Sequence, residues 1–233
     1  MHEQPLTIGI ETSGWSGSVA LLSGAQSLGQ RALDPTGRRH ARTLVPEIQS
    51  LLEQAGCTPS DLDVVAVSIG PGSFTGLRVG VVCAKTLAWA ANASVVAVDT
   101  YLAIATQCPA DVDLVEVVGD GQRGDLYVGR YRRSDAGSWN RQGDIEIRPA
   151  DEWLSQLTPD AVVAGPGLDR HAAEAARRSR VLPQDFWTPR AGSVDRLGRQ
   201  QAIGGELDDL WTLEPFYLRR SSAEEKVESV QQA

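Results

Sequence analysis

The chain has 233 residues, 42% of them hydrophobic and 22% charged, with acidic residues outnumbering basic ones 30 to 22. That length holds one large core or two small ones. A net charge of -8 excludes a surface that is a nucleic-acid footprint throughout and leaves only local basic clusters. The opening MHEQPLTIGIET lacks a basic stretch followed by an apolar one, so no signal peptide is expected. The most apolar segment, residues 79–98, is Ala-rich and broken by Lys85 and Asn92, so no membrane span is expected. Cys57, Cys83 and Cys108 have neither metal-ligand nor redox spacing and read as reduced thiols of a cytoplasmic protein.

In chain order, Thr7–Glu11, Ser18–Leu22 and Ser27–Leu33 are short apolar runs separated by Gly and Ser, which predicts three strands. From Ala41 to Ala55 the positions Leu44, Val45, Ile48, Leu51, Leu52 and Ala55 keep a helical period, and Gly56 suits the helix end. Pro46 predicts either a kink or a helix beginning close to that residue. Val64–Ile69 is an almost continuous apolar run, the pattern of a strand buried on both faces. A helix over Ser73–Ala91 and a strand over Val95–Val98 follow. The second half repeats this order, with strands at Leu114–Val118, Leu126–Tyr131 and Ile145–Arg148. A helix over Asp151–Leu157, a strand at Ala161–Ala164 and a helix over Leu168–Arg178 complete it. Gly70-Pro71-Gly72 and Gly165-Pro166-Gly167 stand at equivalent places.

A duplicated β-β-β-α-β-α unit is the α/β plan of the actin, Hsp70 and sugar-kinase (RNase H-like) superfamily, in which a cleft between the halves can hold a nucleotide. The predicted division is residues 1–101 for the first subdomain, with the partner-binding helices, and 102–220 for the second. The polar stretch 221–233 is expected to be disordered.

The string Gly70-Pro71-Gly72-Ser73-Phe74-Thr75-Gly76-Leu77-Arg78-Val79-Gly80 carries the most information. A strand running through a Gly-rich turn into a helix directs backbone N–H groups and the helix dipole at one spot, a place for an anion. Ser73 and Thr75 add hydroxyls, and Ser73 is a natural N-cap. Equally, the turn could simply end the strand and cap the helix. Gly72, Gly76, Gly80, Ala84 and Ala88 form a ridge of small residues four apart. Each interior glycine costs about 1 kcal/mol of helix stability, so another backbone is expected to approach closely, from this chain or from another subunit.

This string resembles the signature of the TsaB family, also called YeaZ. Further pieces match in order: Thr7-Ile8-Gly9-Ile10-Glu11-Thr12-Ser13, Arg39-His40-Ala41 through Leu44-Val45-Pro46, and the closing Pro215-Phe216-Tyr217-Leu218-Arg219. The chain departs from the family at Glu11, where Asp is usual, and at Ala41, where Ser is usual. It also departs at Gly119-Asp120-Gly121-Gln122-Arg123, where relatives often read Asp-Ala-Arg. The resemblance implies a non-catalytic scaffold that pairs with the metal-bearing paralogue TsaD, with TsaE and TsaC, to form N6-threonylcarbamoyladenosine at position 37 of tRNAs reading codons that start with A. It implies no cofactor of its own, ATP being used by the partner complex, a homodimer in isolation, and tRNA contact only through the complex. The partner face is expected at His40, Leu44, Ile48, Leu51, Phe74, Leu77, Gly80 and Val81.

His2, His40 and His171 lack the one-turn spacing of a histidine metal pair, so no metal site is expected. Ser73 stands in no nucleophile elbow. Glu11 and Asp120 are expected to face one another across the cleft, Trp15 to crowd it, and the two acids with Ser13, Gly70, Gly72, Ser73 and Thr75 to mark a vestigial anion or nucleotide contact. The alternatives are a small-molecule ATP-dependent kinase of the same superfold and a metallopeptidase. Arg38, Arg39 and Arg42, and Arg130, Arg132 and Arg133, are the small basic clusters.

Overall fold

The computed structural model describes residues 4–33 and 40–219. The first half runs β1 (Leu6–Glu11), β2 (Ser18–Ser23), β3 (Gln26–Ala32), α1 (His40–Gln54), β4 (Val64–Gly70), α2 (Phe74–Ala91), β5 (Ser94–Asp99) and α3 (Thr100–Ala105). In the second half β6 (Leu114–Asp120), β7 (Asp125–Arg133), β8 (Trp139–Arg141) and β9 (Glu146–Pro149) precede α4 (Ala150–Gln156) and β10 (Val162–Ala164). Then come α5 (Leu168–Ala175), β11 (Arg180–Val181) and α6 (Ala191–Ile203).

Each half is built around its own first strand. The first sheet has the order β3-β2-β1-β4-β5, with β1 antiparallel to β2 and parallel to β4. The second has the order β11-β10-β6-β7, and both β8 and β9 pair with the far side of β7. There too the first strand, β6, is antiparallel to β7 and parallel to β10. The two Gly-Pro-Gly turns share a positive φ at their first glycine, 123 for Gly70 and 112 for Gly165, a region that only glycine enters freely. These are the two equivalent units that the sequence order implies.

The strand expected at Val95–Val98 is β5, and each unit runs on beyond what the sequence order implied, the first with α3 and the second with β11 and α6. The third strand expected at Ile145–Arg148 is β9, and an additional short strand, β8, precedes it; α5 stops at Ala175. Pro46 lies inside α1, which begins at His40, so the helix does not start at the proline. The missing N–H leaves one carbonyl a turn earlier without its helical donor.

The added helices change the division of the chain. One face of the first sheet, with Ile8, Ile10, Val65 and Val67, packs under α1 and α2. The opposite face, with Val64, Ala66, Val96 and Val98, is covered by Val194 and Ala202 of α6, a helix from the second half. Approach there is close, because a Cβ on Gly198 would strike Ala66. In turn α3 places Tyr101, Ile104 and Ala105 in the second core and Ala103 beside α6. A boundary at 101/102 therefore falls within a helix that belongs to both cores. The polar stretch 221–233 lies outside the described residues.

Candidate partner-binding site

The glycine-rich turn closes on its own chain. Ser73 caps α2 by accepting the Gly76 N–H at 3.3 Å. The small-residue ridge packs against the end of β1: a Cβ on Gly72 would lie 2.6 Å from the Ser13 carbonyl, and Cβ atoms on Gly76 and Gly80 would collide with Thr12. The Thr12 hydroxyl donates to the Gly76 carbonyl at 2.8 Å. The approaching backbone is thus the chain's own, which decides between the two sources left open by the sequence. The N–H groups of Gly70 and Ser73 donate to the Thr100 hydroxyl and the Ser13 carbonyl, at 3.0 and 2.7 Å. With Gly76, three donors of the expected anion cradle are engaged inside the chain. Thr75 is exposed and Phe74 half-buried.

Glu11 and Asp120 take equivalent places at the ends of β1 and β6 but differ in setting. Glu11 is fully buried and accepts both the Ser13 backbone N–H and hydroxyl. Asp120 is exposed and accepts the Gln122 N–H at 2.8 Å. Each carboxylate thus folds back on the loop two residues ahead of it. Trp15 is 70% exposed and does not crowd the end of β1. Thr12 and Ser13 fill that space instead.

The closing motif joins the two halves here. The Phe216 N–H donates to the Ile69 carbonyl at 2.8 Å, and the Tyr217 ring lies 4.6 Å from that of Phe74. On the other side Arg219 pairs with Asp125 and donates to the Gln122 carbonyl.

Outside this packed junction, α1 and α2 enclose a groove of about 640 Å³ lined by Leu44, Val45, Ile48, Val79, Val82 and Leu87, among others. Its rims are Val45 and Val82, which are 60% and 63% exposed. Half of the eight residues expected at a partner face are not available to one. Leu51, Leu77, Gly80 and Val81 are buried under the helices, and Leu44 and Ile48 form the groove's floor. The side chain of His40 lies outside the described residues, as do Arg38 and Arg39. An alternating helical period marks an apolar stripe without telling which of two apolar faces points inward, and α2 has both. Arg78, Thr86 and Ala90, missed from the sequence, follow Val82's row at four-residue spacing along the outer face.

Two further groups have shifted acidities. Burial pushes the Cys83 thiol, on the groove wall, up to about 11. Asp195 on α6 is buried against β1, where the Thr7 hydroxyl and the Gly9 N–H donate to it. Burial raises its carboxyl to about 7, against the opposing pull of those donors and of Arg196 and Arg199. Among the described residues no three of His, Cys, Asp and Glu converge as a metal-ligand group, and no helix is long and apolar enough to cross a membrane.

A family model described as "TsaD: tRNA N6-adenosine threonylcarbamoyltransferase" matches residues 34–185. The tRNA threonylcarbamoyladenosine biosynthesis protein TsaB of Bacillus subtilis is 29% identical, over 94% of this chain and 96% of its own length. The TsaB protein of Escherichia coli is 27% identical over 94% and 97%. Among solved structures, YeaZ from Pseudomonas aeruginosa superposes with a TM-score of 0.80 at 25% identity, over 92% of this chain and all of its own. The two equivalent units are accordingly those of the duplicated actin-like, RNase H-like fold, and the chain belongs to the threonylcarbamoyltransferase family and, within it, to the TsaB (YeaZ) group.

Proposed function

We propose that the chain is a partner subunit in the formation of N6-threonylcarbamoyladenosine in tRNA, and that it pairs with a TsaD-type protein through the α1–α2 groove without performing the transfer itself. The observation that carries this reading is the groove: an apolar trough with solvent-exposed Val45 and Val82 on two helices. Exposed, contiguous apolar surface of this kind marks sites of protein association. The relatives named for this pathway align with nearly the whole chain, which supports a shared role. The fully buried Glu11 carboxylate, held by Ser13, favours a scaffold over a phosphoryl-transfer enzyme. TsaE and TsaC enter as partners of the assembled pair, ATP is used by that assembly, and tRNA is met through it in the cytoplasm.

The test is light scattering coupled to size-exclusion chromatography of this chain with the TsaD-type protein of the same organism, followed by nucleoside mass spectrometry of tRNA treated with the full set. A one-to-one complex and modification that requires this chain are expected. Absence of a complex, with ATP turned over by this chain alone, overturns the reading in favour of a kinase.

A further inference from the structure

The groove is apolar but not uncharged at its ends. Arg78 stands one turn into α2, at the head of the row Arg78, Val82, Thr86, Ala90, which at 1.5 Å per residue is about 18 Å long. That length takes about three turns of a partner helix. The guanidinium of Arg78 lies 4.0 Å above the Phe74 ring and 6.0 Å from that of Tyr217. Its Nε donates to the Tyr217 hydroxyl at 3.1 Å. Stacking and this single bond fix the plane of the group, while no carboxylate among the described residues pairs with it. An arginine held flat, with its two terminal nitrogens uncommitted among the described residues, offers a two-pronged donor that matches a carboxylate.

The rest of the lining shows what could supply that carboxylate. None of the residues that line the groove is acidic. Two copies of this chain laid groove to groove would therefore offer each Arg78 a lining that holds no carboxylate. We infer that Arg78 is a specificity-determining anchor of the groove, and that it selects an amphipathic helix of a different protein, with an Asp or Glu at its Arg78 end, over a second copy of this chain. This inference rests on the groove being the docking face, and adds which chemistry the occupant must carry. Discrimination through an unpaired charge of this sort acts against the wrong partner as much as for the right one.

The experiment is titration calorimetry of the full chain with the TsaD-type protein of the same organism, for wild type, Arg78→Glu, Arg78→Lys, Tyr217→Phe and Val82→Asp. Each variant is first shown to be folded by its melting curve. Arg78→Glu is expected to weaken binding about tenfold to a hundredfold. Lysine recovers part of that loss, because it keeps the charge but not the fork. Tyr217→Phe keeps the stack and costs about threefold. A single Asp→Arg or Glu→Arg change in the partner is expected to restore affinity for Arg78→Glu. Light scattering of the Arg78→Leu chain alone should show stronger self-association than wild type. If Arg78→Glu binds like wild type while Val82→Asp does not bind, the anchor is overturned and the docking face stands. If both bind like wild type, the docking face itself is overturned. Weaker self-association of Arg78→Leu would also sink the selectivity.

Discussion

Asp195 places an ionisable group in the interface between α6 and β1, with Thr7 and Gly9 as donors. Its carboxyl is raised by burial from the ordinary range to about 7, so the folded chain holds a proton that the unfolded chain has released. The stability linked to this group is therefore fully present below the ordinary carboxylate pKa and is lost as the pH rises through about 7. Urea unfolding at pH 5 and pH 8 should show wild type losing about 2 kcal/mol more than Asp195→Asn between the two. Equal losses would remove Asp195 from the account. At Gly76 the argument is steric. An added methyl meets the Thr12 backbone carbonyl, which cannot swing aside. Gly76→Ala should lower stability by about 2–3 kcal/mol, even though alanine by itself favours a helix by about 1 kcal/mol. A melting temperature at or above that of wild type would contradict the packing described. The ridge of small residues was plain in the sequence. Its counterpart, Thr12, was not, since nothing in a linear pattern says which loop will lie across a helix sixty-odd positions away.

At the scale of elements, α2 has two apolar faces with opposite fates. Leu77, Val81, Ala84 and Ala88 are buried, while Val82 stands in solvent and Val79, Cys83 and Leu87 are half-buried along the groove. Substitutions should separate them. Val82→Asp is expected to change folding stability by less than about 0.5 kcal/mol while abolishing association with the partner protein. Leu77→Glu places a charge in a fully buried site and should unfold the chain instead, as circular dichroism would show. A folded Leu77→Glu protein would reverse the two faces. Helices α1 and α2 were legible because their long aliphatic side chains repeat at a helical period. The helix α6 was not, for a physical reason: it packs through Ala191, Gly192, Ser193, Val194, Gly198 and Ala202. Side chains that small let the helix lie close to the sheet, but they give little contrast between its two sides. The six residues of α3 are too few to show a period at all.

For the molecule as a whole, the closing motif is a strap across both halves, attached to Ile69 and Phe74 on one side and to Asp125 and Gln122 on the other. Arg219→Ala removes an ion pair that is only about a quarter exposed and should cost about 1–2 kcal/mol. It should also quicken limited proteolysis in the 121–125 loop. Unchanged cleavage there would show that the loop is held by other means. The duplication was readable because strand order and turn chemistry recur. The exchange of helices between the halves was not, because it depends on which surface each amphipathic element finds.

That exchange has a consequence for synthesis on the ribosome. The first sheet is complete once Asp99 has emerged, but the helix that covers its second face begins only at Ala191. At roughly 5–20 residues per second, about ninety intervening residues correspond to about 5–20 s. Through that interval Ala66, Val96 and Val98 lack the cover of Val194 and Ala202 and have only Ala103 of α3 beside them, so the nascent first half carries exposed apolar surface until its last helix arrives.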